Sequence, residues 1–422
     1  MARGATQGDF ARLFAALAGA SSALLHYAGA LKSIPLLALA PVDITLVLAL
    51  SALPALALAI TTRGWCLAPC IGWPLMALAG LWAWLWFAAF WSPADALLHN
   101  KLTDILLVGP AMLLAGMAVA GDGTMLRHFS AWTMLLSAVV ALALLANLAA
   151  GRVVLGGTAS PQADQIRVAY QVTGLAFATA AGLAAVALVE ACTLGGRVIA
   201  ALGLIGFMAA TLLPGGRAAL LAMVLNVALA PMVVFRCRGA RLLPLLWPMA
   251  WLLMMGFAFA VMVLDAVAMP QLASLERLLM RDALEGSGRL PLWRAALGWA
   301  GAAMPFGLGL GGFTIAAGFG ERRGLYPHNL GLEALVEAGM PGFLLWCLAF
   351  GGAAWAAWRL RGQVPAWRAA RVLALCLPMA VTVMVSTDLG NRMAWFALGL
   401  ALGLGLSSHP MTIRAQHVRA LG

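Results

Sequence analysis

The chain has 422 residues, of which 64% are hydrophobic and only 10% are charged. Soluble domains carry about a quarter charged residues, so this composition excludes an ordinary soluble protein and predicts many membrane-spanning segments. A net charge of +11 would suggest a nucleic-acid partner in a soluble chain. In a membrane protein it is expected from basic cytoplasmic loops instead, and we expect no nucleic-acid partner.

The predicted fold class is an all-α polytopic membrane protein. Apolar runs such as WTMLLSAVVALALLANLAA have helical length and lack the alternation of barrel strands. Cutting the chain at polar and Pro/Gly-rich positions predicts about twelve spans in a single transmembrane domain, 1–422. The spans are 10–31, 43–61, 70–90, 103–120, 129–150, 168–191, 197–213, 217–235, 243–265, 328–357, 369–386 and 391–408.

A long polar segment, 266–327, lies between predicted spans 9 and 10. Residues 271–284 and 290–304 have apolar side chains at helical spacing, which predicts amphipathic helices at the membrane interface. The glycine-rich stretch 305–313 follows. It is either a mobile connector or a loop whose bare backbone comes close to a ligand.

The orientation follows from counting Lys and Arg. With the N-terminus in the cytoplasm, the cytoplasmic side receives fourteen of the 26 basic residues. The short external loops receive six, which are Lys32, Lys101, Arg152, Arg167, Arg217 and Arg392. The other six lie in the long segment, which the rule does not count. Both termini are therefore expected in the cytoplasm and the long segment outside, which in a bacterium is the periplasm.

The eighth span begins with Pro214, Gly215, Gly216 and Arg217. A helix N-terminus offers unpaired N–H groups and a partial positive charge, and glycines let an anion approach the backbone. Together with Arg217, these residues predict a phosphate site. The alternative is that Arg217 anchors the helix at the interface.

The tenth span begins with Tyr326, Pro327, His328 and Asn329. Pro327 is typical of a helix start, and a histidine near a helix N-terminus is disfavoured from protonation. A neutral histidine facing water is a candidate general base. The alternative is a histidine that is simply lodged at the interface.

Two glutamates, Glu333 and Glu337, lie inside the same apolar run. At about 100° per residue, neither lies on the helical face of His328. We interpret them as structural residues that pair with neighbouring helices. Gly331, Gly339 and Gly342 are expected to let another helix pack closely.

Further candidates lie on either side of this span. Arg289, in SGRLPLW, has the planar fork that suits phosphate oxygens. In STDLGNRMAW, Asp388 either hydrogen-bonds the histidine ring or forms a salt bridge with Arg392. The external carboxylates are scattered, so charge stabilisation by arginine is the simpler reading and no metal site is predicted.

These motifs resemble the O-antigen ligases, which share a superfamily with O-antigen polymerases and bacterial protein O-oligosaccharyltransferases. HNLGLEALVEAGMPG has the form His-Asn, nine residues, then Gly-x-x-Gly. PGGRAAL, SGRLPLW, PFGLGLGGF and STDLGNRMAW resemble further family blocks in the expected order. The resemblance covers about residues 205–400. One departure is that Phe343 and Leu344 follow the last glycine, where ligases often have small hydroxylated residues.

The resemblance implies a GT-C type architecture with its active site on the periplasmic face of the bacterial inner membrane. It implies transfer of O-antigen polysaccharide from undecaprenyl pyrophosphate to a sugar hydroxyl of lipid A–core, without a cofactor. His328 would be the catalytic base, and Gly215, Gly216, Arg217 and Arg289 would bind the pyrophosphate. Tyr326, Asn329, Asp388 and Arg392 would support or orient these groups.

Three other functions remain open at this point. An O-antigen polymerase uses the same chemistry on a growing glycan, and a protein O-oligosaccharyltransferase uses it on a protein. A lipid-glycan transporter would tend to have charged or broken helices at mid-membrane in both halves of the chain. Here the polar groups cluster at external helix starts, which favours an enzyme.

Overall fold

The computed structural model describes residues 2–155, 165–214, 216–237, 247–249, 251, 289–322 and 324–410. The described chain is mostly helical. Its α-helices are Ala2–Leu31, Pro35–Ala38, Ile44–Thr61, Gly72–Ala88, Ala96–Thr103, Gly109–Gly121, Gly123–Ala149, Tyr170–Glu190, Leu194–Leu212, Arg217–Cys237, Arg289–Ala302, Gly312–Ala316, Leu330–Trp346, Gly352–Leu360, Ala366–Val385 and Arg392–Gly403. Short 3₁₀ turns occur at Pro69–Ile71 and Ala89–Trp91, and π-helical turns at Asp104–Val108 and Cys347–Gly351.

Ten helical segments in the described part are long and apolar enough to cross a membrane. They correspond to predicted spans 1 to 8, 10 and 11, so the prediction of a polytopic helical membrane protein is confirmed. Predicted span 9, 243–265, lies almost wholly outside the described residues, as do 266–288 of the long segment. The predicted amphipathic helix 271–284 falls in that gap, whereas its neighbour is present as Arg289–Ala302.

The last predicted span, 391–408, is corrected by the structure. Its helix is only Arg392–Gly403, because the chain then forms a strand, Leu406–Pro410, antiparallel to Arg63–Leu67. The helix packs tightly against Gly109–Gly121: a Cβ at Gly403 would lie 2.7 Å from the Met117 carbonyl oxygen. Small residues at such a crossing let two backbones approach. A second strand pair, Val153–Val154 with Ile166–Arg167, is parallel.

A buried polar cluster joins several elements at one end of the bundle. Arg63 pairs with Asp122, and its Nη2 donates to the Ala11 carbonyl at 3.1 Å. Ser408 Oγ donates to the Asp122 carboxylate at 2.6 Å. Arg368 donates to the carbonyls of Ala120 and Leu406. The N-terminal helix, the turn before Gly123 and the final strand are therefore joined at this end.

At the bundle centre lies Tyr170–Glu190, whose middle residues are almost all buried. Asn226 Nδ2 donates to the Ala178 carbonyl at 3.1 Å and to the Ala374 carbonyl at 2.9 Å, so it joins three helices. Gly182 leaves the room that the Asn226 side chain occupies. This packing fixes the relative positions of Tyr170–Glu190, Arg217–Cys237 and Ala366–Val385.

The tenth span is not one straight helix. Gly339 has φ +67° and ψ −165°, a conformation that is essentially restricted to glycine, so Leu330–Trp346 is broken there. The bend is sharp, because a Cβ at Gly331 would lie 3.0 Å from the Trp346 ring. The predicted close approach of a helix at Gly339 is therefore replaced by a change in chain direction.

The glycine-rich stretch caps this break. The carbonyls of Val336 and Glu337 accept hydrogen bonds from Leu308 N–H and Gly309 N–H, each at 2.9 Å. Trp84 Nε1 donates to the Ala338 carbonyl at 2.7 Å. Carbonyls at the end of a helix have no intrahelical partner and must be satisfied elsewhere. The bare backbone of the stretch therefore packs against the broken helix itself.

We expect Gly339→Ala to destabilise the protein. The φ and ψ at Gly339 cost a residue with a Cβ about 1–3 kcal/mol, and that Cβ would also meet the Pro305 carbonyl oxygen. The matched control is Gly298→Ala, where the added Cβ meets open space inside a helix and should be neutral or stabilising. Thermal unfolding of the purified protein measures both, and equal midpoints for the two variants would contradict this account.

Candidate functional site

Arg217 is the first residue of helix Arg217–Cys237, beside the start of Tyr170–Glu190. The carbonyl of buried Gly216 accepts the Leu220 N–H at 3.2 Å. A Cβ on Gly216 would lie 3.5 Å from the Tyr170 carbonyl oxygen, so the two helix starts are in contact. The N-terminal ends of these two helices, each with a partial positive charge, therefore lie next to each other. Gly215 lies outside the described residues.

Arg289 begins helix Arg289–Ala302 and lies beside Arg217. Its Nη2 donates to Ser386 Oγ at 3.2 Å. Burial lowers the pKa of Arg289, and the positive charge of Arg217 lowers it further, whereas Tyr170 and Tyr326 act in the opposite direction. The structure thus brings together the two arginines that the sequence predicted. Two half-buried cations held side by side favour an anion between them.

His328 lies against Tyr326, with 4.1 Å between the ring centroids. Trp293 Nε1, from the Arg289–Ala302 helix, donates to the Pro327 carbonyl at 2.8 Å. The segment that carries the histidine is therefore tied to the helix that carries Arg289. The Tyr326 hydroxyl donates to the Ser386 carbonyl at 3.3 Å. Burial, followed by the charge of Asp388, raises the pKa of Tyr326, so its hydroxyl stays protonated.

The structure corrects the predicted position of His328. The helix begins at Leu330 with Asn329 as its N-cap, so His328 precedes it and lies in the left-handed region with φ +56°. Such a conformation is uncommon for residues other than glycine and is found at functional sites. Asn329 Oδ1 accepts the Leu332 N–H at 3.0 Å, and its Nδ2 donates to the Met384 carbonyl at 2.9 Å. Asn329 thereby fixes the residue next to the histidine.

The imidazole of His328 is neutral at pH 7. Burial lowers its pKa to about 4, and the positive charge of Arg289 contributes. Nδ1 is buried and has no hydrogen-bond partner among the described residues, so the alternative in which Asp388 binds that nitrogen is not realised. Buried polar atoms are usually paired, and an unpaired one at such a place is a notable exception.

The two glutamates form a buried cluster with Lys101. Lys101 Nζ lies 2.6 Å from Glu333 Oε1, and 2.7 and 2.6 Å from the two carboxylate oxygens of Glu337. Lys101 is 6% exposed, and both glutamates are fully buried. The prediction that the glutamates pair with a neighbouring helix is confirmed. The angular argument behind it does not apply, since His328 lies outside the helix.

Glu333 also holds the segment 386–391. Its Oε2 accepts the Leu389 N–H at 2.8 Å, while Trp395 Nε1 donates to the Leu389 carbonyl at 2.9 Å. Asn391 caps the next helix by accepting the N–H groups of Met393 and Ala394. Of the predicted supporting residues, Asp388 lies on this segment and Arg392 directly follows it. The charged groups around these two residues differ.

Arg392 faces acidic groups rather than the two other arginines. The negative charges of Asp43 and Asp104 act on it. A Cβ at Gly390 would lie 3.2 Å from an Asp104 carboxylate oxygen, so Asp104 packs on the same segment. The site therefore has a basic side at Arg217 and Arg289, and a second side where Arg392 is accompanied by carboxylates.

Three contributors were missed by the sequence reasoning. Lys101 was assigned to an external loop, although two buried glutamates require a cation and the chain has only two lysines, Lys32 and Lys101. Ser386 begins the motif STDLGNRMAW, but nothing in that motif points to its contact with Arg289, and Tyr170 carries no motif signal. In the described part of the chain, no group of three or more His, Cys, Asp or Glu side chains is arranged to hold a metal ion.

No curated protein matches the chain. A family model described as O-antigen ligase matches residues 200–347, which include Arg217, Arg289 and His328 and end before Asp388. The match therefore covers the two arginines, the histidine, the broken helix and the glycine-rich stretch that caps it. Over this region, about a third of the chain, the sequence is similar to the O-antigen ligase family.

Proposed function

We propose that this protein is an O-antigen ligase, which transfers O-antigen polysaccharide from undecaprenyl pyrophosphate to a sugar hydroxyl of lipid A–core. The observation that carries the proposal is the juxtaposition of a neutral histidine with two arginines at adjacent helix starts. A glycosyl transfer from a pyrophosphate donor needs a base for the acceptor and positive charge for the leaving group. The similarity of residues 200–347 to the O-antigen ligase family supports the same chemistry.

In the proposed reaction, His328 accepts the proton of the acceptor hydroxyl. The hydroxyl oxygen attacks the anomeric carbon of the donor sugar, and the bond from that carbon to the pyrophosphate oxygen breaks. The bonding electrons leave with the pyrophosphate, whose negative charge Arg217 and Arg289 stabilise. Gly215, Gly216 and the adjacent helix starts would contribute N–H groups. The displacement is single, so the anomeric configuration inverts.

Different elements of the chain supply His328, Arg289 and the residues that would lie beside the acceptor. Such a site suits a reaction between two large lipid-linked substrates. Holding the two reactants in line is most of the catalytic task. Tyr326 and Asn329 would orient His328, and Asp388 and Arg392 would support the acceptor side. Because arginine supplies the positive charge, the proposed transfer needs no metal cofactor, and activity that persists in a chelator such as EDTA is expected.

The proposed location is the bacterial inner membrane, with a GT-C type architecture, both termini in the cytoplasm and the site on the periplasmic face. The distribution of basic residues supports this orientation. The span that follows His328, Leu330–Leu360, has Arg359 and Arg361 at its other end. The next span, Ala366–Val385, has Arg368 and Arg371 at its start. Both substrates are lipids, so a site at helix starts near the interface is accessible to them.

The deciding assay is glycan transfer in nanodiscs by the purified protein, with an undecaprenyl-pyrophosphate-linked glycan as donor and lipid A–core as acceptor. Lipid A–core that carries the glycan is the product that a ligase forms. Elongation of the donor glycan alone would identify a polymerase instead. Transfer to a protein would identify an O-oligosaccharyltransferase, and movement of the donor across the bilayer without transfer would identify a transporter.

We expect His328→Ala to lower the transfer rate by about 10²- to 10⁴-fold, the usual contribution of a general base. The matched control is His99→Ala, because His99 is an exposed histidine bound to its own helix start. Its transfer rate should equal that of the wild type. A His328→Ala protein that transfers at the wild-type rate would contradict the proposed mechanism.

We expect Arg289→Ala to lower kcat/KM for the donor by about 10²- to 10³-fold, since it removes a group that stabilises charge in the transition state. Arg289→Lys should recover only part of this loss, because lysine lacks the planar fork. Arg294→Ala is the control, since Arg294 is exposed on the same helix. Equal donor kinetics for the two alanine variants would count against a pyrophosphate role for Arg289.

The pH profile tests the state of His328. A pKa lowered to about 4 means that the neutral base persists as the pH falls, so kcat/KM should stay level from pH 7.5 to about 5.5 and decline only below pH 5. Arg289→Ala should move the acid limb upward only in part, because burial is the larger cause of the shift. An acid limb near pH 6.5 in the wild type would contradict a buried, neutral His328.

A further inference from the structure

The buried cluster of Lys101, Glu333 and Glu337 divides its contacts unequally. Glu337 uses both carboxylate oxygens on Lys101. Glu333 uses one oxygen on Lys101 and the other on the Leu389 N–H at 2.8 Å. Glu337 therefore holds the lysine, and the lysine holds Glu333. Among the described residues, Glu333 is the one of the three that hydrogen-bonds to the segment 386–391.

Leu389 is held on both sides of its backbone by buried side chains. Glu333 accepts its N–H and Trp395 donates to its carbonyl, while its own side chain is fully buried. Such a residue has little freedom to move. Its position sets where the chain leaves the preceding helix, Ala366–Val385, three residues earlier at Ser386.

Ser386 is the point at which this segment meets the site. Its Oγ accepts from Arg289 Nη2 at 3.2 Å, and its carbonyl accepts from the Tyr326 hydroxyl at 3.3 Å. Tyr326 in turn packs on His328. One buried serine thus contacts both the phosphate end and the base end of the site.

We propose that Glu333 is a positioning residue for the pyrophosphate site, which acts by holding the segment 386–391 so that Ser386 orients Arg289. This inference rests on the proposed function, since it assigns the role of Arg289 as pyrophosphate ligand. Glu333 touches no substrate. Its effect travels through Leu389 and Ser386 to the guanidinium.

The chemistry of Glu333 explains why a carboxylate is needed at this place. Both of its oxygens accept hydrogen bonds, one from an ammonium and one from a backbone N–H. Glutamine has one acceptor oxygen and one NH₂ donor, so Glu333→Gln must turn a donor toward Lys101 or toward the Leu389 N–H. Glu337→Gln removes the same charge one helical turn away and leaves the Leu389 contact intact. It is the matched control.

The experiment measures binding of undecaprenyl pyrophosphate to the full-length protein in nanodiscs, alongside transfer. We expect Glu333→Gln to weaken this binding by about tenfold, the size of one lost charge-assisted hydrogen bond. Glu337→Gln should weaken it clearly less, although both variants lose similar thermal stability. Equal weakening by the two variants would overturn the proposal, because it would leave only a shared structural effect.

A double-mutant cycle tests the route. If Glu333 acts through Ser386, then Glu333→Gln should have little further effect on pyrophosphate binding in a Ser386→Ala protein. Additive losses would overturn that route. Should Glu333→Gln fail to fold, Ser386→Ala is compared with Thr387→Ala, a buried neighbour whose hydroxyl has no partner among the described residues. Weaker binding in Ser386→Ala alone is expected, and equal binding would overturn the proposal.

The binding assay separates this inference from the ligase proposal. A wild-type protein that binds undecaprenyl pyrophosphate but transfers no glycan would refute the ligase, while the comparison of Glu333→Gln with Glu337→Gln would still decide the positioning role. A wild-type protein that transfers glycan, with the two variants alike, would keep the ligase and refute the positioning role. A wild-type protein without affinity for the pyrophosphate would refute both.

Discussion

The arrangement of the site depends on the placement of two guanidinium groups, Arg217 and Arg289, next to each other in a half-buried setting. Burial lowers the pKa of Arg289, and the positive charge of Arg217 lowers it further. An anion that binds beside such a half-buried cation stabilises its charge. Burial lowers the pKa of His328, and the charge of Arg289 lowers it further, so the imidazole is neutral. Phosphate binding and base strength are therefore linked through Arg289.

Holding these groups in place requires rigid supports from distant parts of the chain. Asn226 fixes the central helices, including the one that begins at Arg217. The glycine-rich stretch caps the break at Gly339, so the carbonyls of Val336 and Glu337 at the end of the short helix are hydrogen-bonded. Lys101 pairs with both buried glutamates of that short helix and comes from the N-terminal half of the chain. The family match begins at residue 200, yet the site also needs Lys101, which lies before it.

Much of the helical architecture was predictable, because a run of about twenty apolar residues has few alternatives in a membrane. The arginines and the histidine were found from their positions beside glycine and proline at helix starts. The break at Gly339 was not, since hydropathy is unchanged there and only the positive φ reveals it. The last helix was predicted too long for the same reason: hydropathy does not mark its end at Gly403, after which Leu406–Pro410 pairs as a strand with Arg63–Leu67.

The contacts between distant residues were the least predictable. Two buried glutamates implied a cation, but nothing in the order of residues points to Lys101, which is 232 positions from Glu333. Ser386 is one serine among many in the sequence, and its role follows only from meeting Arg289 and Tyr326 in space. Helical angles counted from His328 misled because the histidine lies before the helix. Local patterns predicted the chemistry of the site, and the fold supplied its supports.

The most direct test of the account is the configuration of the new glycosidic bond. A neutral His328 that activates the acceptor, opposite a pyrophosphate held by Arg217 and Arg289, requires a single displacement at the anomeric carbon. The coupling constant of the anomeric proton, measured by NMR on lipid A–core that carries the transferred glycan, should show the configuration opposite to that in the donor. A product with the donor's configuration would contradict the account.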